Sequence, residues 1–167
     1  IAKIMGCQAV GIAGGTTKCR HVVDDLGFDA CLDYKAGDLR GQLERAVPEG
    51  IDVYFDNVGG EVLDAVLPHL NLNARIALCG MISQYNASGP TGLRNYGALL
   101  DKCATIQGFR VGLRLKERDA ALTRLTQWYR EGRLKYRETV AVGLESAPAA
   151  FISMLRGENL GKQVVRL

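Results

Sequence analysis

The chain has 167 residues, of which 47% are hydrophobic and 23% charged, a composition typical of a globular protein with a sizeable core and not of a disordered one. The formal net charge is only +3, and the lysines and arginines are interspersed with acids, which disfavours a nucleic-acid-binding protein. No apolar run approaches the roughly 20 residues that a membrane-spanning helix needs, so we expect no membrane partner.

Five cysteines and two histidines show no spacing typical of a metal site or a disulfide framework. The cysteines are odd in number and include no Cys-x-x-Cys pair, and neither His21 nor His69 has a partner in a metal-ligand pattern. We therefore expect reduced thiols in or near the core of a cytoplasmic protein, and no metal site.

Apolar periodicity predicts strands and helices in alternation along the chain. Ile1–Met5 has the pattern of a helix end that stops at Gly6, and Gly14 and Gly15 form a turn. The predicted strands are Gln8–Ile12, Ala30–Tyr34, Ile51–Phe55, Ala74–Cys79, Thr105–Gly108, Glu138–Val142 and Gln163–Arg166. The predicted helices are Thr16–Leu26, Asp38–Ala46, Glu61–Leu70, Tyr96–Lys102, Leu115–Arg130 and a last one, capped by Ser146 with Pro148 in its first turn, that runs to about Arg156. Met81–Gly92 is expected to be a long polar loop.

Strands that alternate with helices at this spacing predict an α/β fold with a parallel, doubly wound, Rossmann-like sheet. With no repeat and no linker, the sequence indicates one nucleotide-binding domain over residues 1–167. Such a sheet usually begins with a strand followed by G-x-G-x-x-G, which holds a pyrophosphate against a helix N-terminus. No such motif precedes Gln8. We therefore expect a truncated domain that lacks its first, central strand and its glycine loop.

The turn after the first predicted strand, Gly14–Lys18 (GGTTK), has the chemistry of a phosphate site. NAD-binding domains usually place an acid here, which bonds the ribose 2′-hydroxyl and would repel a 2′-phosphate. Backbone amides, the hydroxyls of Thr16 and Thr17, and Lys18 would instead attract that phosphate. On these residues alone, an ordinary glycine turn with a threonine cap and a solvated lysine remains the alternative.

Two matched strand-and-turn units contain the most informative sequence in the chain. Ile51–Gly60 (IDVYFDNVGG) and Arg75–Tyr85 (RIALCGMISQY) are apolar runs that end in small or polar residues. Buried parallel strands have this pattern, and ligands bind at their carboxyl ends. VYFDNVGG followed by CGMISQY closely resembles the zinc-independent branch of the medium-chain dehydrogenase/reductase superfamily. Within that branch, the chain is similar over most of its length to the prostaglandin reductase, leukotriene B4 dehydrogenase and alkenal reductase family.

The resemblance implies that the chain is the cofactor half of a larger enzyme, with the substrate-binding lobe and the glycine loop upstream of Ile1. It implies NADP(H) as the cofactor and a small α,β-unsaturated aldehyde or ketone as the substrate. We expect the full-length protein to be a homodimer.

The resemblance also implies roles for individual residues. Lys18 would lie against the adenosine phosphate, Tyr34 would line the adenine side, and Asn57 would touch the nicotinamide-side ribose. The loop Cys79–Tyr85 would lie along the nicotinamide and its ribose. The predicted cofactor-binding residues are Gly14, Thr16, Thr17, Lys18, Tyr34, Asn57, Cys79, Gly80, Met81, Ile82, Ser83, Gln84, Tyr85, Phe109, Arg110, Val111 and Asn159.

Two parts of this set, one segment and one single residue, rest on shorter matches. Phe109-Arg110-Val111 match a family segment at the carboxamide face, and a core aromatic at a strand end is the alternative for Phe109. Asn159 matches a family asparagine near the cofactor, and an ordinary helix C-terminal turn between Gly157 and Gly161 is the alternative.

The sequence contains no Ser/His/Asp or Cys/His constellation, and conjugate reduction does not need one because the cofactor supplies the hydride. Tyr85 is the candidate catalytic side chain. Its hydroxyl could hold the ribose or stabilise the enolate, and the sequence leaves both roles open. The alternatives for the whole chain are a quinone oxidoreductase of the same superfamily, which CGMISQY disfavours, and a non-catalytic nucleotide-binding or redox-sensing module.

Overall fold

The computed structural model describes residues 1–89 and 92–167. These residues form two compact units. Ile1–Cys31 together with Ala120–Leu167 is the first unit, and Leu32–Asp119 is the second unit. The predicted α/β class with parallel strands is confirmed. The extent of a single nucleotide-binding domain over the whole chain stays a prediction.

Strands and helices alternate along the described residues. The strands are β1 Val10–Ala13, β2 Ala30–Asp33, β3 Ile51–Asp56, β4 Leu70–Leu78, β5 Thr105–Gly108, β6 Glu138–Val142 and β7 Lys162–Arg166. The α-helices are α1 Thr16–Arg20, α2 Leu39–Ala46, α3 Gly60–Val66, α4 Gly97–Asp101, α5 Leu115–Arg130 and α6 Ala147–Leu155. A π-helical turn, His21–Asp25, continues α1. None of the described helices is long and apolar enough to cross a membrane.

In the described residues the strands pair in three sheets, with the orders β1-β2, β3-β4-β5 and β6-β7. Both β3 and β5 run parallel to the central β4, and β6 runs parallel to β7. Asp56 at the end of β3 is in register with Leu78 at the end of β4. The carboxyl ends of these two strands therefore lie side by side, and the segments that follow them meet.

Apolar side chains at helical spacing build the core of the second unit. Leu63, Val66, Leu67 and Leu70 lie three or four residues apart and are all buried, as is Ile76 of β4. Leu43 of α2, with 1% of its surface exposed, completes this core. The packed core holds β4 and α3 in place. At the carboxyl edge of the sheet, one segment follows the end of β4 and the other precedes the start of α3.

Side chains alternate across β3, as the pleat of a strand requires. Val53 and Phe55 are 57% and 60% exposed, whereas Tyr54 is half-buried and Asp56 is fully buried. The predicted strand Ile51–Phe55 is confirmed, with Asp56 as an additional last residue. A polar side chain therefore occupies the buried end of a strand, which is the position that ligand sites use in parallel sheets.

Close packing in the first unit requires a glycine within β1. A Cβ at Gly11 would lie 2.8 Å from Val22 Cγ1, which is closer than real Cβ contacts come. Glycine at this position therefore lets the π-helical turn approach β1. The predicted helix Thr16–Leu26 is confirmed in position, but it is α-helical only as far as Arg20.

The predicted helix Glu61–Leu70 ends earlier than the apolar spacing indicates. The α-helix stops at Val66, Leu67–His69 forms a 3-10 turn, and β4 begins at Leu70 instead of Ala74. Pro68 explains the change because it has no N–H to donate to the carbonyl of Asp64. That carbonyl instead accepts a hydrogen bond from Asn95 Nδ2 at 2.9 Å.

Two other local predictions are corrected, and a third agrees with the structure. Ile1–Met5 forms a hydrogen-bonded turn in which Met5 N donates to Ile1 O at 3.0 Å. Gly6 closes this turn with φ +81°, and its N–H donates to Lys3 O at 3.0 Å, which is the pattern of a helix end that stops at glycine. Ser146 precedes α6, but its hydroxyl donates back to Gly143 O and makes no cap hydrogen bond to the helix. The predicted loop Met81–Gly92 contains a 3-10 turn at Ile82–Gln84, and its residues 90 and 91 lie outside the described residues.

Candidate functional site

The turn after β3 is held by the side chain at its first residue. Asp56 Oδ1 accepts hydrogen bonds from the backbone N–H groups of Val58 at 2.8 Å and Gly59 at 2.9 Å. The Tyr54 hydroxyl donates to the same oxygen at 3.3 Å. An aspartate that bonds amides two and three residues ahead closes a tight turn, so Asp56 shapes the segment that carries Asn57.

The segment after β4 is joined to this turn by backbone hydrogen bonds. Cys79 N and Gly80 N both donate to Asp56 O, at 2.7 and 3.2 Å. Ile82 N donates to Asn57 O at 3.2 Å, and Ser83 N donates to Val58 O at 3.2 Å. The Ser83 hydroxyl also donates to Val58 O, at 2.5 Å.

These bonds make one rigid surface from the two predicted loops, and we call residues 56–60 together with 79–85 the paired loops. Three successive carbonyls of the first loop are used as acceptors by the second loop. A ligand at the paired loops would therefore be bound by side chains and by the remaining N–H groups, not by these carbonyls.

Glycines allow the paired loops to approach each other this closely. A Cβ at Gly60 would lie 2.8 Å from Ser83 Oγ, and a Cβ at Gly80 would lie 3.1 Å from Asn57 O. Gly59 and Gly60 also have φ values of +66° and +55°, which L side chains rarely adopt. The glycines at the two strand ends thus allow close approach, of backbone to backbone at Gly80 and of backbone to the Ser83 side chain at Gly60.

The outer face of the paired loops is formed by predicted cofactor-binding residues. Asn57, Met81, Ile82, Ser83 and Tyr85 are exposed, and Tyr85 retains 66% of its accessible surface. Gln84 is half-buried. The structure therefore brings together amide, hydroxyl and phenol groups beside two apolar side chains, on the edge of the sheet where the sequence placed them.

Cys79 lies at the inner side of the paired loops and is half-buried. Burial raises the pKa of the Cys79 thiol, and the negative charge of Asp56 raises it further. This cysteine is therefore a neutral thiol at physiological pH, and its contribution to the site is its backbone N–H.

The third predicted segment at this edge of the sheet is Phe109-Arg110-Val111, which follows β5. The Phe109 N–H donates to Leu78 O at 2.9 Å, which places Phe109 beside the residue that precedes Cys79. The Phe109 ring is half-buried, with the Arg114 guanidinium 5.9 Å from its centroid. Arg110 is exposed and Val111 is 79% exposed, so the segment leaves the core at once.

Tyr34 follows β2 as the first residue of a 3-10 turn and is 46% exposed. Asp33 precedes it and accepts a hydrogen bond from Lys35 N at 3.0 Å, which fixes the turn. Tyr34 therefore presents an accessible ring at a strand end, in agreement with the predicted position but with no described contact to the paired loops.

In the first unit, the structure brings Lys18 close to the turn that contains Asn159. A Cβ built at Gly157 would lie 3.6 Å from Lys18 Nζ, an ordinary contact distance, so the ammonium group lies beside this turn. Asn159 Nδ2 donates to Gly161 O at 2.8 Å. Lys18 and the turn from Gly157 to Gly161, which contains Asn159, are thus neighbours although they are far apart in the sequence.

The structure also tests whether a threonine caps the helix that follows Gly14 and Gly15. The residue at the N-cap of α1 is Gly15, with φ +93°, and no side chain caps the helix. Thr16 and Thr17 are exposed. A threonine cap, the structural alternative for these hydroxyls, is therefore wrong.

Two buried acids of the second unit were not selected from the sequence. The sequence places Asp56 in the strand-and-turn unit Ile51–Gly60 and Asp64 in a predicted helix. Asp64 is 4% exposed and accepts hydrogen bonds from Arg94 N at 2.6 Å and Asn95 N at 2.7 Å. Burial works to raise the pKa of Asp64, but these amides and the Arg94 guanidinium outweigh it, so the pKa lies below its usual value. Aspartate before Asn-x-Gly was a local signal for Asp56, whereas nothing local indicates the partners of Asp64.

Within residues 1–89 and 92–167, no group of three or more histidine, cysteine or acidic side chains is placed to hold a metal ion. The chemistry available at the paired loops is therefore hydrogen bonding, apolar contact and the field of Asp56. In the first unit it is the positive charge of Lys18.

Comparisons with known proteins identify relatives over the whole chain. Residues 1–127 match the sequence model of the family described as zinc-binding dehydrogenase. The NADPH-dependent curcumin reductase of Escherichia coli is 47% identical over 173 residues, which cover 100% of this chain and 50% of that protein. The 2-alkenal reductase (NADP(+)-dependent) of Nicotiana tabacum is 44% identical and matches 98% of this chain and 48% of its own length.

A solved structure shows the same fold. CurA from Vibrio vulnificus, crystallised in complex with NADPH, superposes with a TM-score of 0.92 at 47% sequence identity. The match covers 98% of this chain and 50% of that one. The chain thus spans about half the length of the curated relatives it matches.

Proposed function

Because the chain belongs to the zinc-binding dehydrogenase family, and there to the zinc-independent branch of the medium-chain dehydrogenase/reductase superfamily, we propose that it is the cofactor-binding part of an NADPH-dependent reductase. The reaction is reduction of the C=C bond of α,β-unsaturated aldehydes and ketones. The observation that carries the proposal is the rigid surface of the paired loops, where Asn57, Ser83 and Tyr85 lie exposed beside Met81 and Ile82.

The residues of both units fit a nicotinamide nucleotide with a 2′-phosphate. The exposed amide, hydroxyl and apolar groups of the paired loops suit a ribose and a flat ring. Lys18 lies beside the turn at Gly157, and the segment Gly14–Lys18 contains no acid that would repel a phosphate. The NADPH dependence of the E. coli relative, and the NADPH complex of the V. vulnificus relative, support the same cofactor.

Bound NADPH would supply a hydride for the β-carbon of the substrate. The paired loops would orient the nicotinamide, since their backbone bonds leave little freedom to rearrange. Asn57 would hold the ribose, and Met81 and Ile82 would exclude water from one side of the ring. Tyr85 would place its hydroxyl either on the ribose or on the developing enolate, where a neutral donor stabilises negative charge.

We further propose that the protein acts as a homodimer. In the sheet β3-β4-β5, β5 is an edge strand, and an unpaired edge is a template for pairing with another chain. Leu100, Val111 and Leu113, on either side of β5 in the sequence, are 81%, 79% and 76% exposed. Light scattering of the full-length protein is expected to give twice the monomer mass, and a monomer at micromolar concentration would contradict the proposal.

A cytoplasmic location is part of the same proposal. All five cysteines are thiols, as in proteins of reducing compartments. Fractionation of cells that express the tagged protein is expected to recover it with the cytosolic fraction, and recovery in an oxidising compartment would contradict this location.

The function is tested by NADPH oxidation with the full-length protein and a panel of enals, enones and quinones. Product analysis is expected to show saturated carbonyl compounds from the enals and enones. Activity confined to quinones would replace the proposal with a quinone oxidoreductase. Binding of NADPH without turnover of any panel member would favour a non-catalytic nucleotide-binding module.

A further inference from the structure

Asp56 is a fully buried carboxylate that the proposed reaction does not yet use. It has 0% exposed surface, and its Oδ1 receives the Val58 and Gly59 amides and the Tyr54 hydroxyl. Three donors therefore converge on one oxygen of this carboxylate. Oδ2, in contrast, is buried with no hydrogen-bond partner in the described residues.

An unpaired buried oxygen costs free energy and requires an explanation. Asp64 provides the comparison within the same unit. It is similarly buried, but Asn95 Nδ2 contacts its Oδ2 at 3.1 Å and Arg94 Nε lies 3.6 Å from the same atom. Both oxygens of Asp64 are therefore engaged, whereas half of the Asp56 carboxylate is uncompensated.

The charge of Asp56 acts on the carboxyl ends of β3 and β4. Burial raises the pKa of the Tyr54 phenol, and the charge and hydrogen bond of Asp56 raise it further. The Cys79 thiol is affected by the same charge. No ion pair to Asp56 exists among residues 1–89 and 92–167 to neutralise this field at the paired loops.

We propose that Asp56 stabilises the positively charged, oxidised nicotinamide relative to the neutral, reduced ring, so that the paired loops favour release of the hydride. This rests on the proposed function. Bound NADPH would supply a hydride that carries two electrons to the β-carbon of the substrate. The nicotinamide would then carry one positive charge, and the resulting enolate would take up a proton. A fixed negative charge under the paired loops is attracted to the ring only after that loss. In this role Asp56 would act on the ring through its negative charge alone, without contact with the ring or the substrate.

The test is Asp56→Asn in the full-length protein, which removes the charge and keeps an oxygen to accept from Val58 N and Gly59 N. Dissociation constants for NADP⁺ and NADPH are measured separately by calorimetry, without substrate, alongside the thermal unfolding midpoint. The ratio Kd(NADP⁺)/Kd(NADPH) is expected to rise roughly tenfold, since one unit charge near the oxidised ring is lost. Asp64→Asn is the matched control, expected to lower the unfolding midpoint and leave the ratio unchanged.

Asp56→Ser is the second neutral variant, because its hydroxyl can accept from the same amides. An increased ratio in either folded variant supports the proposal. Equal changes in both dissociation constants would make Asp56 a turn residue only and would overturn it, as would failure of both variants to fold. If the unsubstituted protein binds neither NADP⁺ nor NADPH, the proposed function itself is wrong, which is a different result.

Discussion

Gly60→Ala should lower the free energy of unfolding by more than the positive φ of Gly60 alone would cause. Gly60 has φ +55°, where an L-residue costs about 1–2 kcal/mol, partly offset by about 0.4–1 kcal/mol from a less flexible unfolded chain. In addition, the new Cβ would lie 2.8 Å from Ser83 Oγ, so Ser83 has to rotate and give up its bond to Val58 O. That bond adds about 0.5–1.5 kcal/mol. We therefore expect a total loss of about 2 kcal/mol.

Gly132→Ala is the matched control for this substitution. Gly132 has φ +69°, but a Cβ there would meet nothing within 4 Å. It should cost about 1 kcal/mol or less, because only the backbone term applies. Thermal unfolding of the full-length protein measures both variants, since about 1 kcal/mol shifts the midpoint of a domain of about 150–250 residues by roughly 2–4 °C.

A double-mutant cycle isolates the contact between the loops. Ser83→Ala removes the hydroxyl that the new Cβ would displace, so Gly60→Ala combined with Ser83→Ala should cost less than the two changes summed, by about 1 kcal/mol. Equal effects of Gly60→Ala and Gly132→Ala, together with an additive cycle, would refute the argument that Gly60 exists for close approach of the paired loops.

Three further predictions concern the cofactor and the fold. Lys18→Ala should reduce the preference for NADPH over NADH in kcat/KM by roughly 10- to 100-fold, because a charge-assisted contact to phosphate is worth about 1.5–3 kcal/mol. Arg20→Ala, on the same helix, is the control, and an unchanged ratio for Lys18→Ala would remove Lys18 from the site. Tyr85→Phe should lower kcat if the hydroxyl stabilises the enolate, or raise the KM for NADPH if the hydroxyl holds the ribose. Tyr96→Phe is the control, and no change in either constant for Tyr85→Phe would exclude both roles. Asp64→Asn should lower the unfolding midpoint at pH 7, and the difference from the unsubstituted protein should shrink toward pH 3. A carboxylate whose pKa is lowered in the folded state stabilises the fold above its unfolded pKa, and this effect is lost as the pH falls through the folded pKa. A difference that does not depend on pH would contradict this.

Local patterns predicted the regular elements well. Thr105–Gly108, Leu115–Arg130 and Glu138–Val142 begin and end in the structure where periodicity and flanking glycines indicated. The errors arose where a single residue overrides an apolar pattern. Pro68 ends a helix whose buried positions continue through Leu70, since Leu70 is buried equally well as the first residue of a strand.

Much of the candidate site could be located from sequence because parallel strands bring their carboxyl ends together. Its internal geometry could not. The bond from Ser83 to Val58 and those from Arg94 and Asn95 to Asp64 join residues 25 to 31 positions apart, and no periodicity specifies such partners. The roles of the predicted cofactor-binding residues stay predictions until the variants are measured.

The bonding of the paired loops also limits how this protein can be engineered. Each loop supplies half of a hydrogen-bond ladder, with the acceptors at Asp56, Asn57 and Val58 and the donors between Cys79 and Ser83. Randomising or grafting one segment without the other would leave unmatched donors or acceptors at the interface. A library that aims to change substrate preference at Met81, Ile82 or Tyr85 should therefore vary only these outward side chains, or transplant residues 56–60 and 79–85 from one donor protein as a single cassette.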